Sequence, residues 1–340
     1  QEFFLQAVTE QWSIVIHGDY DVDGLTGTAL LYSFLRHSGA NVKAFLPTRT
    51  LGYGLNPKTI QQWIAKGVRL IITVDCGISN SKEIALAKEA GIETVITDHH
   101  GVPEEIPDAL FILHPKVLNM PEIQNFAGVG MAFWLVSLLF DVFPLSYPLT
   151  TYLDFVAIGT IGDMTPLRGL NRTLVKHGFH QIRQTQRLGI KALFQIIKRN
   201  YQTATEEDLG FQIIPRLNAA GRMKTPNIAL QLLLAHDPAK AQDLALELDE
   251  LNQERRKVCQ RVQEEAQEHL PLLKENKVVV LADAAWPHGV LGIVCSQLVE
   301  LTGKPVFLIA IEEGICKGSA RSPESFHILE AMQSVKECFI

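Results

Sequence analysis

Cysteine is scarce in this chain, with five in 340 residues. They stand at positions 76, 259, 295, 316 and 338, without paired or Cys-x-x-Cys spacing. That spacing excludes a disulfide framework and fits reduced thiols in a cytoplasmic protein. Long apolar runs are also missing. The best of them, Ala132–Phe140, is too short to cross a bilayer, and Gln1–Glu10 carries neither a basic region nor a long apolar core, so no membrane association is expected. Positive charge is not in excess either: 31 basic against 37 acidic residues, a net of −6, give no general attraction for phosphate. No internal repeat or low-complexity tract is present. No Ser-His-Asp or Cys-His arrangement is legible, and Cys76 reads as a small residue in a tight turn, so a covalent mechanism is not expected.

What the chain does have is acidic charge concentrated at one point. His17-Gly18-Asp19-Tyr20-Asp21-Val22-Asp23-Gly24 follows directly on the apolar stretch Trp12–Ile16. Three carboxylates spaced two apart at a strand end repel one another unless a multivalent cation is present. The same spelling opens the calcium loop of an EF-hand, whose twelfth position must be a bidentate glutamate. Counted from Asp19 that position is Leu30, and the preceding Ser13–Ile16 is β-branched and strand-like rather than helical, so the calcium reading fails.

Two further acidic sites follow apolar strands. Leu70–Val74 runs into Asp75-Cys76-Gly77, and Thr94–Thr97 runs into Asp98-His99-His100-Gly101. Helix-like stretches lie between, at about Asn56–Lys66 and Ser79–Ala90, the second closed by Gly91. This alternation predicts an α/β fold with a doubly wound, mainly parallel sheet, which gathers ligands beyond the carboxyl ends of its strands. A lone Asp after a strand is ordinarily a helix cap or turn residue. Three such loops on one sheet edge instead point to a shared cation site, and oxygen ligands with some imidazole suit Mn²⁺ or Mg²⁺.

In this order GDYDVDG, VDCGIS and TDHHG resemble the signature motifs of the DHH phosphoesterase superfamily, and in particular its RecJ-type single-strand-specific exonucleases. Gly159–Leu167 is similar to the fourth motif, and Pro215-Arg216-Leu217-Asn218-Ala219-Ala220-Gly221-Arg222 to the arginine-bearing segment near the strand path. The resemblance implies metal ligation by His17, Asp21, Asp23, Asp75, His99 and Asp163, with Asp75 bridging two Mn²⁺ or Mg²⁺ ions. It implies catalytic support from Asp19, Asp98 and His100, acting on the ligands or the scissile phosphate, and nucleic-acid contacts from Arg216, Asn218 and Arg222. Lys317-Gly318-Ser319-Ala320-Arg321-Ser322 resembles the pocket for a 5′-terminal phosphate in the DHH-associated domain, which makes Ser319 and Arg321, with Arg49, the expected 5′-end contacts. A hydroxyl and a guanidinium suit phosphate geometry. Between Asp163 and Glu206 no acidic residue occurs, whereas Arg168, Arg172, Lys176, Arg183, Arg187, Lys191, Lys198 and Arg199 do, a stripe suited to a strand backbone. Tyr53, Phe179 and Phe211 are candidate stacking platforms.

The length and the 47% hydrophobic content allow two cores. A catalytic domain is expected over 1–195, a helical connector with a long helix over about Pro238–Leu270 within 196–270, and a smaller α/β DHH-associated domain over 271–340. The chain departs from the family pattern in three respects. The loop before Gly52-Tyr53-Gly54 is short, the start lies only 16 residues ahead of His17, and Ile340 comes before the glycine-glycine-histidine motif and OB-fold that usually follow, so the second domain is expected to be truncated. The resemblance implies metal-dependent 5′→3′ hydrolysis of single-stranded DNA to mononucleotides in recombination and repair, with a helicase and a single-strand-binding protein as partners. A phosphodiesterase acting on oligonucleotides or small phosphoesters, and a non-catalytic strand-binding module, remain as alternatives.

Overall fold

A computed structural model describes residues 1–312 and 314–338. The chain divides into two compact units, Gln1–Glu250 and Leu251–Ile340. In the first, the strands β1 (Ile14–Gly18), β2 (Val42–Phe45), β3 (Leu70–Val74), β4 (Glu93–Thr97) and β5 (Phe111–Leu113) form one parallel sheet in the order β2-β1-β3-β4-β5. Every residue of β1 and β3 is buried, as befits parallel strands covered on both faces. On one face Val15, Ile71 and Ile96 pack with Ile60 and Trp63 of the helix Pro57–Ala65 and Ile84 and Ala87 of the helix Ser81–Glu89. The other face carries the helices Val22–His37 and Gly128–Leu139, backed by Leu153–Gly162. Burying each such aliphatic side chain contributes roughly 1.5–3 kcal/mol, and the alternating faces of the strands exploit that on both sides.

The expected elements differ from the observed ones mainly at their ends. β1 starts two residues after the apolar run begins, because Trp12 sits in the turn after the helix Glu2–Thr9, its ring edge-on to Phe3 at 5.3 Å. Asn56 accepts from the Thr59 N–H at 2.9 Å and caps the helix that begins at Pro57, the position where a missing N–H costs nothing. In this order of strands the direction of winding reverses between β1 and β3, so the acidic loops leaving both strands flank the switch point.

The connector expected over 196–270 is shared between the two units. Within the first, the helix Ile214–Met223 is fastened to the early part of the helix Pro238–His269 by Arg216, whose Nη2 lies 2.8 Å from Asp249, and by Lys224 at 2.8 Å from Glu247. The second unit has β6 (Val279–Asp283) parallel to β7 (Val306–Glu312), which pairs antiparallel with β8 (Ile315–Arg321). The helix His288–Thr302 packs against β7 and β8, burying Val290, Leu291, Val294, Cys295 and Leu298. Among the described residues no helix is long and apolar enough to cross a membrane.

The basic stripe is partly internal. Arg187 Nε donates to the buried Asp154 at 2.7 Å, and its guanidinium lies 3.9 Å from the Phe155 ring centroid. Burial pushes the Asp154 carboxyl up, and the arginine counters it. Replacing Arg187 by Ala leaves a buried carboxylate without its cation, and urea denaturation should register a loss of about 3–5 kcal/mol.

Candidate metal centre

β1 ends at Gly18, and the loop it feeds becomes the first turn of the helix Val22–His37. Asp21 is the cap of that helix: its Oδ1 accepts from the N–H groups of Asp23 at 3.0 Å and Gly24 at 3.4 Å. Asp23, fully buried, is held from the other side. Its Oδ2 accepts from Gly128 N at 2.6 Å and its Oδ1 from Val129 N at 2.8 Å, the orphan donors at the start of the helix Gly128–Leu139. Position 128 must be glycine, since an added Cβ would lie 2.5 Å from Asp75 Cβ.

Asp75 leaves β3 with φ +61°, a left-handed conformation that costs a non-glycine residue of order 1–2 kcal/mol. Its backbone is pinned by the bond from Asp75 N to Thr97 O at 2.9 Å and by the Tyr53 hydroxyl, which donates to Asp75 O at 2.9 Å. After β4, Asp98 spends both oxygens on its neighbours. Oδ2 accepts from Ile78 N at 2.9 Å, while Oδ1 takes His99 N at 2.7 Å, His100 N at 3.1 Å and His100 Nδ1 at 2.8 Å. His99 is thereby turned inward. Its Nε2 lies 3.1 Å from Asp75 Oδ1 and 3.7 Å from both Asp23 Oδ2 and Asp163 Oδ2. Asp163 arrives from the end of the helix Leu153–Gly162.

Ligand atoms converge in two complementary groups, Asp19 with Asp21 and Asp75, and Asp23 with His99 and Asp163, all within 4.8 Å of one another in each. A third grouping, Asp75 with His99 and His100, links them, but His100 Nδ1 is already committed to Asp98. Asp19 Oδ1, Asp75 Oδ1 and His99 Nε2 are buried and lack a hydrogen-bond partner, the state expected of lone pairs aimed at a cation. Five carboxylates and one imidazole suit a hard divalent ion and fit a pair of Mn²⁺ or Mg²⁺ ions.

The electrostatics agree. Burial, then the charge of Asp21, pushes Asp19 up to about 8; burial and Asp21 raise Asp163 to about 6. Asp23 and Asp75 are driven well above the carboxylate range by burial and by the other carboxylates. Burial lowers His99 to about 4, leaving it neutral and able to ligate. Asp98 is the exception: burial raises it, but the hydrogen bond and charge of His100 and the backbone N–H groups outweigh that and hold it low. His100 is raised in turn, burial opposing and the hydrogen bond and charge of Asp98 prevailing.

His17 is fully buried with a ring nitrogen 3.1 Å from Gly54 O and its ring 5.1 Å from Phe45, and among the described residues it joins neither converging group. Arg49 stacks on the Tyr20 ring at 4.2 Å, with its charge felt at Asp19. Arg216 directs Nε to Asp249 at 2.9 Å and Nη1 to Gln212 O at 2.8 Å and is nearly inaccessible. Asn218 Oδ1 accepts from Val22 N at 2.8 Å, and the charge of Arg222 reaches Tyr20. In the second unit, Ser319 Oγ and Arg321 Nη2 both lie 3.4 Å from where a Cβ on Gly292 would stand, beside the first turns of the helix His288–Thr302. Phe179 is buried, whereas Phe211 is 72% exposed, and Tyr53 uses its hydroxyl rather than its face.

Several contributors escaped the sequence reading. Gly128 and Val129 lie in Ala127-Gly128-Val129-Gly130, where glycines ahead of an apolar helix were the available signal. His114, wholly buried, bonds through Nε2 to His100 O at 2.8 Å and steadies the histidine loop. Met164, next to Asp163, combines φ +59° with 87% exposure, and nothing in its spelling announces either.

The raised carboxylates set the pH behaviour of the metal-free protein. Their folded pKa values exceed the unfolded ones, so their contribution is fully present below about pH 4 and is lost as pH rises through about 6 for Asp163 and about 8 for Asp19. The buried neutral His99 acts oppositely, but only below its ordinary value near 6.5. Thermal unfolding in EDTA should therefore show stability falling between about pH 6.5 and pH 8, and Mn²⁺ should abolish or reverse that slope.

Known proteins share this fold. Residues 13–160 match the DHH family, N-terminal domain, and residues 275–338 match the DHHA1 domain. The single-stranded-DNA-specific exonuclease RecJ of Bacillus subtilis strain 168 is 39% identical over 337 residues, covering 98% of this chain and 42% of its own. A crystal structure of exonuclease RecJ bound to manganese superposes with a TM-score of 0.86 at 37% identity, covering 98% of this chain and 83% of that one. RecJ from Thermus thermophilus in complex with Mn²⁺ superposes with a TM-score of 0.86 at 35% identity, over 99% of this chain and 48% of that one. The chain spans about half the length of the curated relatives it matches. With both domains matched in order and a relative covered over most of its length, the chain belongs to the RecJ family of DHH phosphoesterases.

Proposed function

We propose that this protein is a Mn²⁺- or Mg²⁺-dependent exonuclease that hydrolyses single-stranded DNA from the 5′ end, 5′→3′, to mononucleotides in recombination and repair. The observation that carries the reading is the pair of converging ligand groups on one sheet edge, with buried lone pairs aimed inward. Asp19, Asp21 and Asp75 would hold one ion and Asp23, His99 and Asp163 the other, with Asp75 between them. Two such ions supply Lewis-acid activation of a water and of the phosphodiester. Asp98 favours the protonated form of His100, which suits it to meet the anionic phosphate, while His114 and Tyr53 hold the histidine loop and Asp75 in place. His17 anchors the Gly52–Gly54 loop through Nε2, while its buried Nδ1 has no hydrogen-bond partner and is left for the expected ligand role.

The second unit supports capture of a 5′ end. Ser319 and Arg321 bring a hydroxyl and a guanidinium together beside Gly292 of a 15-residue helix, a pairing that suits a terminal phosphate. Arg49, stacked on Tyr20 within the metal loop, is suited to the strand near the scissile bond. Arg172, Lys176 and Arg183 line a groove of about 670 Å³ just past the fourth motif together with Glu206 and Glu207, whose charges offset part of its attraction for strand phosphates. Within the arginine-bearing segment, Arg222 is the nucleic-acid contact we favour, and Arg216 supports it from its pair with Asp249. In functional terms we retain a catalytic domain at 1–195, a connector at 196–270 and a 5′-end-binding domain at 271–340. Cys76, Cys259 and Cys295 are buried and form no disulfide, which supports a cytoplasmic setting, in which a helicase and a single-strand-binding protein would deliver the strand.

Asp75→Ala should abolish Mn²⁺-dependent release of mononucleotides from long single strands while leaving strand binding in EDTA close to that of the parent. An unchanged rate would reject the bridging role, and a parent enzyme that prefers dinucleotides would reject the exonuclease reading. Arg321→Ala should weaken the preference for 5′-phosphorylated over 5′-hydroxyl strands by roughly 10–100-fold, the worth of a charge-assisted hydrogen bond.

A further inference from the structure

The segment Pro215–Arg222 is spelled like a nucleic-acid contact, yet the structure joins it to the metal loop. The helix Val22–His37 begins with donors that have no partner inside the helix. Asp21 Oδ1 serves Asp23 N and Gly24 N, which leaves the N–H of Val22. That donor is taken by Asn218 Oδ1 at 2.8 Å, from a residue 196 positions away. The two backbones are also in contact. A Cβ added to Gly221 would lie 2.5 Å from Tyr20 O, so only glycine lets the helix Ile214–Met223 settle onto Tyr20-Asp21-Val22. The same helix is held from behind by Arg216 through Asp249 and Gln212.

We infer that Asn218 is a positioning residue for the cation pair, with Gly221 as its seat: together they fix the loop that presents Asp19, Asp21 and Asp23, rather than reading the nucleic acid. The physical case rests on charge. Asp19, Asp21 and Asp23 lie in a loop whose carboxylates repel one another, and Asp21 is both helix cap and ligand candidate. If the Val22 N–H lost its acceptor, the cap carboxylate nearest to it would be drawn toward that donor and away from Asp19 and Asp75. An outer partner of this sort fixes the orientation of the groups that hold the ion, and its loss typically costs 10–100-fold in metal affinity. Aspartate at 218 keeps an acceptor oxygen in the same place, whereas alanine and leucine do not.

This inference rests on the two-cation reading above and deepens it. The test is titration of the whole protein with Mn²⁺, followed by electron paramagnetic resonance and calorimetry, for the parent, Asn218→Ala, Asn218→Asp and Gly221→Ala. Binding of a fluorescent single strand in EDTA and thermal unfolding in EDTA are measured alongside. Two ions should bind the parent. Asn218→Ala should still fold and bind the strand in EDTA as the parent does, but should bind the weaker ion about tenfold or more less tightly. Asn218→Asp should restore that affinity, and Gly221→Ala should resemble Asn218→Ala. Unchanged Mn²⁺ affinity in Asn218→Ala with weakened strand binding would overturn the inference and make Asn218 a nucleic-acid contact. Unchanged values for both would also overturn it. A parent protein that takes up no Mn²⁺ would instead overturn the two-cation reading itself.

Discussion

Mutual repulsion among carboxylates is the constraint around which the first unit is built. Asp19, Asp23 and Asp75 are all buried at one sheet edge with Asp21 and Asp163 beside them. Two like charges about 4 Å apart repel by about 4 kcal/mol at an effective dielectric constant of 20, and several such pairs meet here. The fold resists that repulsion mainly with fixed donors, with the charge of Arg49 adding to them at Asp19. The helix starting at Gly128 holds Asp23, the helix after Asp21 is capped by it, and Asp98 is neutralised by His100 and backbone N–H groups. What the fixed donors leave over is an inward-pointing set of oxygen lone pairs and one imidazole, the ligand field of a hard cation.

This division of labour explains which acidic residues are equivalent and which are not. Asp98 and His99 are neighbours in sequence, yet one is saturated by hydrogen bonds and the other presents a free buried nitrogen. The left-handed backbone at Asp75 follows from the same demand, since the carboxylate must turn into the rim while its own N–H and C=O stay paired with Thr97 and Tyr53. Strain at such a point is tolerable because Val74 ahead of it ends a fully buried strand and its own N–H and C=O are held by Thr97 and Tyr53.

Rigidity in the rim is supplied from far along the chain. The loops come from β1, β3 and β4, but their fixation comes from Gly128, His114, Tyr53 and Asn218, none of which belongs to an acidic motif. Such outer partners decide whether ligands meet at the right separation, and two-ion chemistry is sensitive to that separation.

The sequence by itself determined the α/β alternation, the strand Leu70–Val74, the strand expected at Thr94–Thr97 and found one residue longer at Glu93–Thr97, and the identity of the acidic loops, because apolar runs of strand length ending in Asp are local signals. The family resemblance set Asp98 and His100, together with Asp19, apart from the expected ligands. Only the tertiary structure decided that Asp19 converges with Asp21 and Asp75 while His17 turns to Gly54, since strand alternation and a loop closure, not spelling, set those directions. Likewise Arg187 and Arg216 read as free positive charge but are spent on Asp154 and Asp249, partners 33 residues away in each case. Ion pairs, caps and close backbone approaches across such distances leave no period or motif in the chain, so they become visible only once the chain has folded.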